Sequence, residues 1–177
     1  DRATTIDVGP GDEYGMGPQV SEEELEGTLE YIDVAEEEGA TLAAGGEALD
    51  GGRFGDGYFV APTVFSDVGV DHRLAQEEVF GPVLAVLKVE GFEDAIKAAN
   101  NVNYGLSASI LTQNHTEANR FIEEIEAGVA KINEKTTGLE LHVPFGGFKN
   151  SSSETWREQG DAGLDFYTTE KTVYENF

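Results

Sequence analysis

The sequence predicts an α/β fold, a parallel sheet with flanking helices, and three observations predict it. Between Val83 and Asn133, apolar runs of strand length alternate with stretches whose apolar residues recur at helical spacing. Strands separated by helices pair in parallel through right-handed crossovers. At 177 residues, 39% of them apolar and periodically placed, the chain can bury a core and is not expected to be disordered.

Taken in order, residues 1–20 form an irregular lead-in, punctuated by Gly9, Pro10, Gly11, Gly15, Gly17 and Pro18. Ser21-Glu22-Glu23-Glu24 is a capping box that opens a helix, flanked by Val20 and Leu25 as a hydrophobic staple. Leu25, Leu29, Ile32 and Ala35 mark its buried stripe, and Gly39 ends it. The glycine-rich stretch Gly45 to Gly57 follows a helix and opens a strand. A phosphate-binding loop has the opposite order, so this one reads as a surface connection.

The strand from Tyr58 to Phe65 contains Pro62, which lacks an amide hydrogen, so it is expected at an edge or irregular. There follow an apolar strand Val83 to Val89, a helix Phe92 to Asn101 and a strand Ser107 to Leu111. A helix Thr116 to Glu126 and a strand Val129 to Asn133 complete the alternation, with Gly105 and Gly128 as helix stops. Glu134 to Ser153 has no period and reads as a functional loop. Ala162 to Tyr167 reads as a short helix. Thr168 to Asn176 reads as a strand without a local partner, expected to pair in an oligomer.

Asp and Glu number 35 against 11 Lys and Arg, a net charge of -24 that argues against nucleic-acid or anionic-membrane partners. An acidic surface of this kind suits a halophile's salty cytoplasm. No run has the length of a membrane span and no leader is recognisable, so a soluble, cytoplasmic protein is expected. Cysteine is absent, which excludes disulfides and thiolate ligands within the chain. His72, His115 and His142 lack metal-ligand spacing, and no metal site is expected. Arg157 with Glu154 and Glu158 reads as a surface ion pair.

Glu77-Glu78-Val79-Phe80-Gly81-Pro82-Val83 sets two carboxylates and a ring at the entrance to a strand, where α/β proteins hold ligands. By itself it reads first as a solvated acidic turn that redirects the chain. A second landmark is Pro144-Phe145-Gly146-Gly147-Phe148-Lys149-Asn150-Ser151. With Gln76 to Val83, then Ala99-Asn100-Asn101 and Tyr104-Gly105-Leu106-Ser107-Ala108 before it, the sequence resembles the C-terminal part of the catalytic domain of NAD(P)-dependent aldehyde dehydrogenases. The resemblance runs from about Gly17 to the end.

The resemblance implies a partial catalytic domain over 21–166 and an oligomerisation strand over 167–177, with the dinucleotide-binding domain outside the chain. It implies a thiolate nucleophile and a general-base glutamate upstream, so the chain alone is expected to be inactive. Glu78 is implied to hydrogen-bond the nicotinamide ribose of NAD or NADP, with Phe80 beside it, while Glu77 stays structural. Phe145 is implied to wall the substrate tunnel, although a core phenylalanine is the competing reading. The loop Lys135 to Val143 and the stretch Asn150 to Gln159 resemble the 2-oxoglutarate semialdehyde (2,5-dioxopentanoate) dehydrogenase branch. Thr137 and His142 are implied to bind a distal carboxylate there, opposed by Glu134 and Glu140. A succinate or proline-pathway semialdehyde enzyme, or a non-catalytic assembly or ligand-binding module, remain alternatives.

Overall fold

The computed structural model describes residues 2–138, 140–152 and 157–177. Its contacts divide the chain into two compact units, residues 1–90 and 91–177.

In the first unit, helix α1 (Glu22–Glu37) begins where the Ser21 hydroxyl accepts from the amide of Glu24 at 3.2 Å. The staple does not form: Val20 is 89% exposed. Gly39, at φ +91°, turns the chain out of the helix, and the Ala40 amide donates back to the Ala35 carbonyl. Ile32 and Ala35 are buried and Leu25 and Leu29 pack beside them, as the stripe predicts.

Strand β1 (Thr41–Ala44) forms where the sequence carries no assignment, and β2 (Ala48–Leu49) lies in the glycine-rich stretch expected to be mere connection. Their alanines and flanking glycines carry little strand propensity, so local sequence conceals them. Pro62 splits the next strand into β3 (Phe59–Val60) and β4 (Thr63–Ser66). The segment is irregular, but β4 is central rather than an edge. It pairs antiparallel with β1 and parallel with β5 (Val83–Ala85), and β2 pairs with β3. The strand expected to reach Val89 ends at Ala85; Leu84 within it and Val86 and Val89 beyond it are substantially exposed. Phe65 is fully buried among Ile32, Ala35, Val60, Val68 and Leu74. Truncating such a ring costs about 3–5 kcal/mol. The short helix α2 (Arg73–Gln76) leads into the acidic corner.

The second unit holds the predicted alternation: α3 (Phe92–Asn100), β6 (Tyr104–Gly105), β7 (Ser107–Ile110), α4 (His115–Glu124) and β8 (Val129–Ile132). The side chain of Asn114 caps α4 by accepting from Thr116 and Glu117. Strands β7 and β8 are parallel, in register from Ser107 opposite Val129 to Ile110 opposite Ile132. Ala108, Ile110 and Ile132 pack on Ile96, Phe121 and Ile125.

Gly105 and Gly128 are not helix stops; the caps are Asn101 and Ile125. Both glycines permit close approach. A Cβ on Gly105 would collide with the Glu126 carbonyl, and one on Gly128 with that of Gly146. Strand β9 (Phe148–Lys149) pairs antiparallel with β6, and α5 (Gly160–Tyr167) follows. In the single chain, residues 168–177 have no regular secondary structure.

Candidate functional site

In the first unit the acidic corner is a rigid turn. The Gly81 amide donates to the Val79 carbonyl and the Val83 amide to that of Gly81, both at 2.8 Å, while Thr63 donates to Pro82. Gln19 reaches across from the lead-in: its Nε2 donates to the Phe80 carbonyl and to the Thr28 hydroxyl, each at 3.1 Å. A Cβ on Gly81 would strike that hydroxyl, so only glycine lets the turn lie this close to α1. Thr28 and Gln19 carry no periodic signal for this role, because the contact joins residues 61 positions apart.

The two adjacent glutamates are occupied differently. Glu77 receives the Arg73 guanidinium, Nη2 to Oε2 at 2.8 Å and Nε to Oε1 at 3.0 Å, and the Tyr31 hydroxyl at 2.7 Å. These hydrogen bonds, from Arg73 first and Tyr31 second, hold its carboxyl below the usual range, from 4.5 to about 2. Donating its proton to the Glu77 carboxylate favours the neutral phenol and pushes Tyr31 up, as, to a lesser extent, does burial. Glu78 is exposed and, among the described residues, makes no hydrogen bond or ion pair. Beside it the ring of Phe80 is 69% exposed. The corner therefore offers one free carboxylate and one bare aromatic face on a braced backbone.

In the second unit, Phe145 is half-buried and its backbone exchanges two 2.7 Å hydrogen bonds with Glu158. Gly147 allows a close passage of the chain: a Cβ there would collide with the backbone of Ser151. Glu154 lies outside the described residues, and among the described residues Arg157 forms no ion pair. Its Nη1 donates to the Gly146 carbonyl and, at 3.3 Å, to that of Gly147, with the guanidinium 4.8 Å from the centroid of Phe148. Lys149 binds the carbonyls of Asn100 and Val102 at 2.7 and 3.0 Å and the Glu126 carboxylate at 2.6 Å.

Asn100 bonds the Glu124 carbonyl and the Glu126 amide. The asparagine and lysine motifs thus fasten α3, the end of α4 and the bend together. Thr137 and His142 are both exposed, on the loop before Phe145; Leu139 between them lies outside the described residues. The Thr137 carbonyl accepts from Lys131 at 3.0 Å, and His142 Nδ1 stands 3.7 Å from Glu140. A cavity of about 530 Å³ beside α5 is lined by Arg157, Ala162, Asp165, Phe166 and Thr168, and by none of the predicted site residues. Among the described residues no His, Asp and Glu cluster could hold a metal ion, and no helix is long and apolar enough to cross a membrane.

Comparisons with known proteins converge. The chain is 68% identical over all 177 residues to an alpha-ketoglutarate semialdehyde dehydrogenase of Haloferax volcanii, covering 37% of it. It is 47% identical over 174 residues to an alpha-ketoglutaric semialdehyde dehydrogenase of Bacillus subtilis, covering 96% of the chain and 36% of that relative. The chain thus spans little more than a third of the curated relatives it matches. A crystal structure of betaine aldehyde dehydrogenase from Staphylococcus aureus in complex with NAD+ superposes with a TM-score of 0.88 at 36% identity, covering 94% of this chain and 33% of that one. An aldehyde dehydrogenase from Bacillus cereus gives 0.89 at 41% identity, covering 99% and 35%. The aldehyde dehydrogenase family model matches residues 1–173, and the chain belongs to that family.

Proposed function

We propose that this chain is part of an aldehyde dehydrogenase that oxidises a semialdehyde with a distal carboxylate, 2-oxoglutarate semialdehyde, to the dicarboxylate with NAD or NADP. The observation that carries the reading is the free carboxylate of Glu78 beside the bare ring of Phe80 on one braced turn. Two vicinal ribose hydroxyls suit a charged, doubly accepting group, and Glu78 is the member of the acidic pair that is not already engaged. Phe80 packs on the sugar without competing for protons. When bound, the nicotinamide takes up the hydride released by the aldehyde carbon.

Phe145 walls the aldehyde's path, and Thr137 and His142 supply donors for the distal carboxylate. The substrate assignment draws on the names of the Haloferax and Bacillus relatives and on the loop that Lys135 to Val143 forms. Because the 177 residues contain no cysteine, the nucleophile is supplied outside them and the isolated chain does not oxidise aldehydes. Residues 168–177, with Val173, Tyr174 and Phe177 exposed, form the strand that pairs subunits of a homo-oligomer. The acidic surface fits work in a salty cytoplasm.

Cofactor binding tests the reading directly. In the intact enzyme, Glu78→Gln is expected to weaken NAD(P)+ binding about tenfold, the loss of charge on hydrogen bonds to the ribose. Glu77→Gln, at the engaged neighbour, should leave the dissociation constant within about twofold. Equal effects of the two substitutions, or none, would remove Glu78 from the cofactor site.

A further inference from the structure

Strands β7 and β8 are two-faced. Ala108, Ile110 and Ile132 point to the core, so by the alternation of a strand Ser107, Ser109 and Lys131 share the other face, Lys131 directly opposite Ser109 in the parallel register. That face is not simply wet. Ser109 Oγ donates to the Glu134 carbonyl at 2.5 Å and Ser107 Oγ to the Thr136 carbonyl at 3.2 Å. Lys131 Nζ donates to the carbonyls of Thr137 and Gly138, both at 3.0 Å. Four carbonyls of one loop are therefore held by three side chains of the sheet, and those of Thr137 and Gly138 share the Lys131 ammonium.

We propose that Lys131 is a positioning residue for substrate selection: it pins Thr137 and places a fixed positive charge beneath the loop. The proposal rests on the reading that this loop receives the substrate's distal carboxylate. Lys131 does two things there. Its hydrogen bonds remove the freedom that Thr137 and Gly138, the latter at φ +96°, would otherwise have, so the loop is ordered before the ligand arrives. Its charge also offsets Glu134 and Glu140, which flank Thr137 and oppose an anionic ligand. An uncharged aldehyde of the same length gains nothing from that charge.

The test uses the intact enzyme carrying Lys131→Met, which keeps the stem and removes donors and charge, and Lys131→Arg, which keeps both. For a five-carbon semialdehyde with a terminal carboxylate, Lys131→Met is expected to raise KM about tenfold with kcat within about twofold. For the uncharged aldehyde of equal length, KM should stay within about twofold, and Lys131→Arg should recover most of the discrimination. A KM that rises alike for both aldehydes, or for neither, overturns the proposal. Amide hydrogen exchange over residues 135–138 separates the two layers. Exchange no faster in Lys131→Met than in the wild type overturns the pinning itself. Faster exchange in an enzyme whose wild type does not favour the acidic aldehyde supports the pinning and overturns the substrate reading instead.

Discussion

The carboxylate of Glu77 is filled by Arg73 and Tyr31, while that of Glu78, one residue on, is left to solvent. Sequence alone shows two adjacent acids at a strand entrance; which of them is available depends on an arginine one helical turn back and a tyrosine on α1. The same pairing sets a pH dependence. Glu77 is held from its ordinary 4.5 down to about 2, so its contribution to stability is complete above about pH 4.5 and is lost as pH falls toward about 2. Both partners are largely exposed, so the contribution is small. Acid unfolding followed by circular dichroism should show a shallower loss of stability between those limits in Glu77→Gln than in the wild type. Coincident acid limbs would show that the ion pair contributes nothing. The lysine and arginine side chains that brace the second unit, Lys131 and Arg157, bond to distant carbonyls and leave no trace in any periodic pattern. The sequence predicts an ion pair of Arg157 with Glu154 and Glu158; among the described residues the guanidinium meets the Gly146 and Gly147 carbonyls.

Elements whose signals are local were legible. Ser21 and Glu24 define the start of α1, Gly39 its exit, and the apolar spacing of Phe92, Ile96, Phe121 and Ile125 the two helices that cover β7 and β8. Elements fixed by distant partners were not. β1 is fixed by its pairing with β4, because the alanines that make up half of it carry little strand propensity of their own. Glycines divide in the same way. Gly39 is required by its backbone angle, and Gly128 by the passage of the Gly146 carbonyl. Gly128→Ala is therefore expected to destabilise the protein by about 1–3 kcal/mol, as overpacking does. Gly27, within α1 and with open space around its Cα, should instead gain about 0.5–1 kcal/mol on becoming alanine. Thermal unfolding of the two variants distinguishes these roles, and shifts of the same sign would contradict the assignment.

At the scale of the molecule, charge dominates, and the chain spans little more than a third of the relatives it matches. A net charge of -24 on 177 residues makes the folded state repel itself, and α1 alone carries eight acids and no base. The Debye length shrinks from about 10 Å at 0.1 M salt to about 3 Å at 1 M. Tm should therefore climb as potassium chloride is raised through that range, and a Tm that is flat or falling would separate the acidic surface from salt adaptation. On the proposed reading the nucleophilic thiol is supplied outside these residues, and this segment would contribute the ribose carboxylate and the substrate loop to the intact enzyme. Steady-state NAD(P)H formation by the intact enzyme tests that division most directly. The account predicts kcat/KM at least about tenfold higher for 2-oxoglutarate semialdehyde than for an uncharged aldehyde of equal length, and no turnover by the 177-residue chain alone. Equal kcat/KM for the two aldehydes, or turnover by the isolated chain, would contradict it.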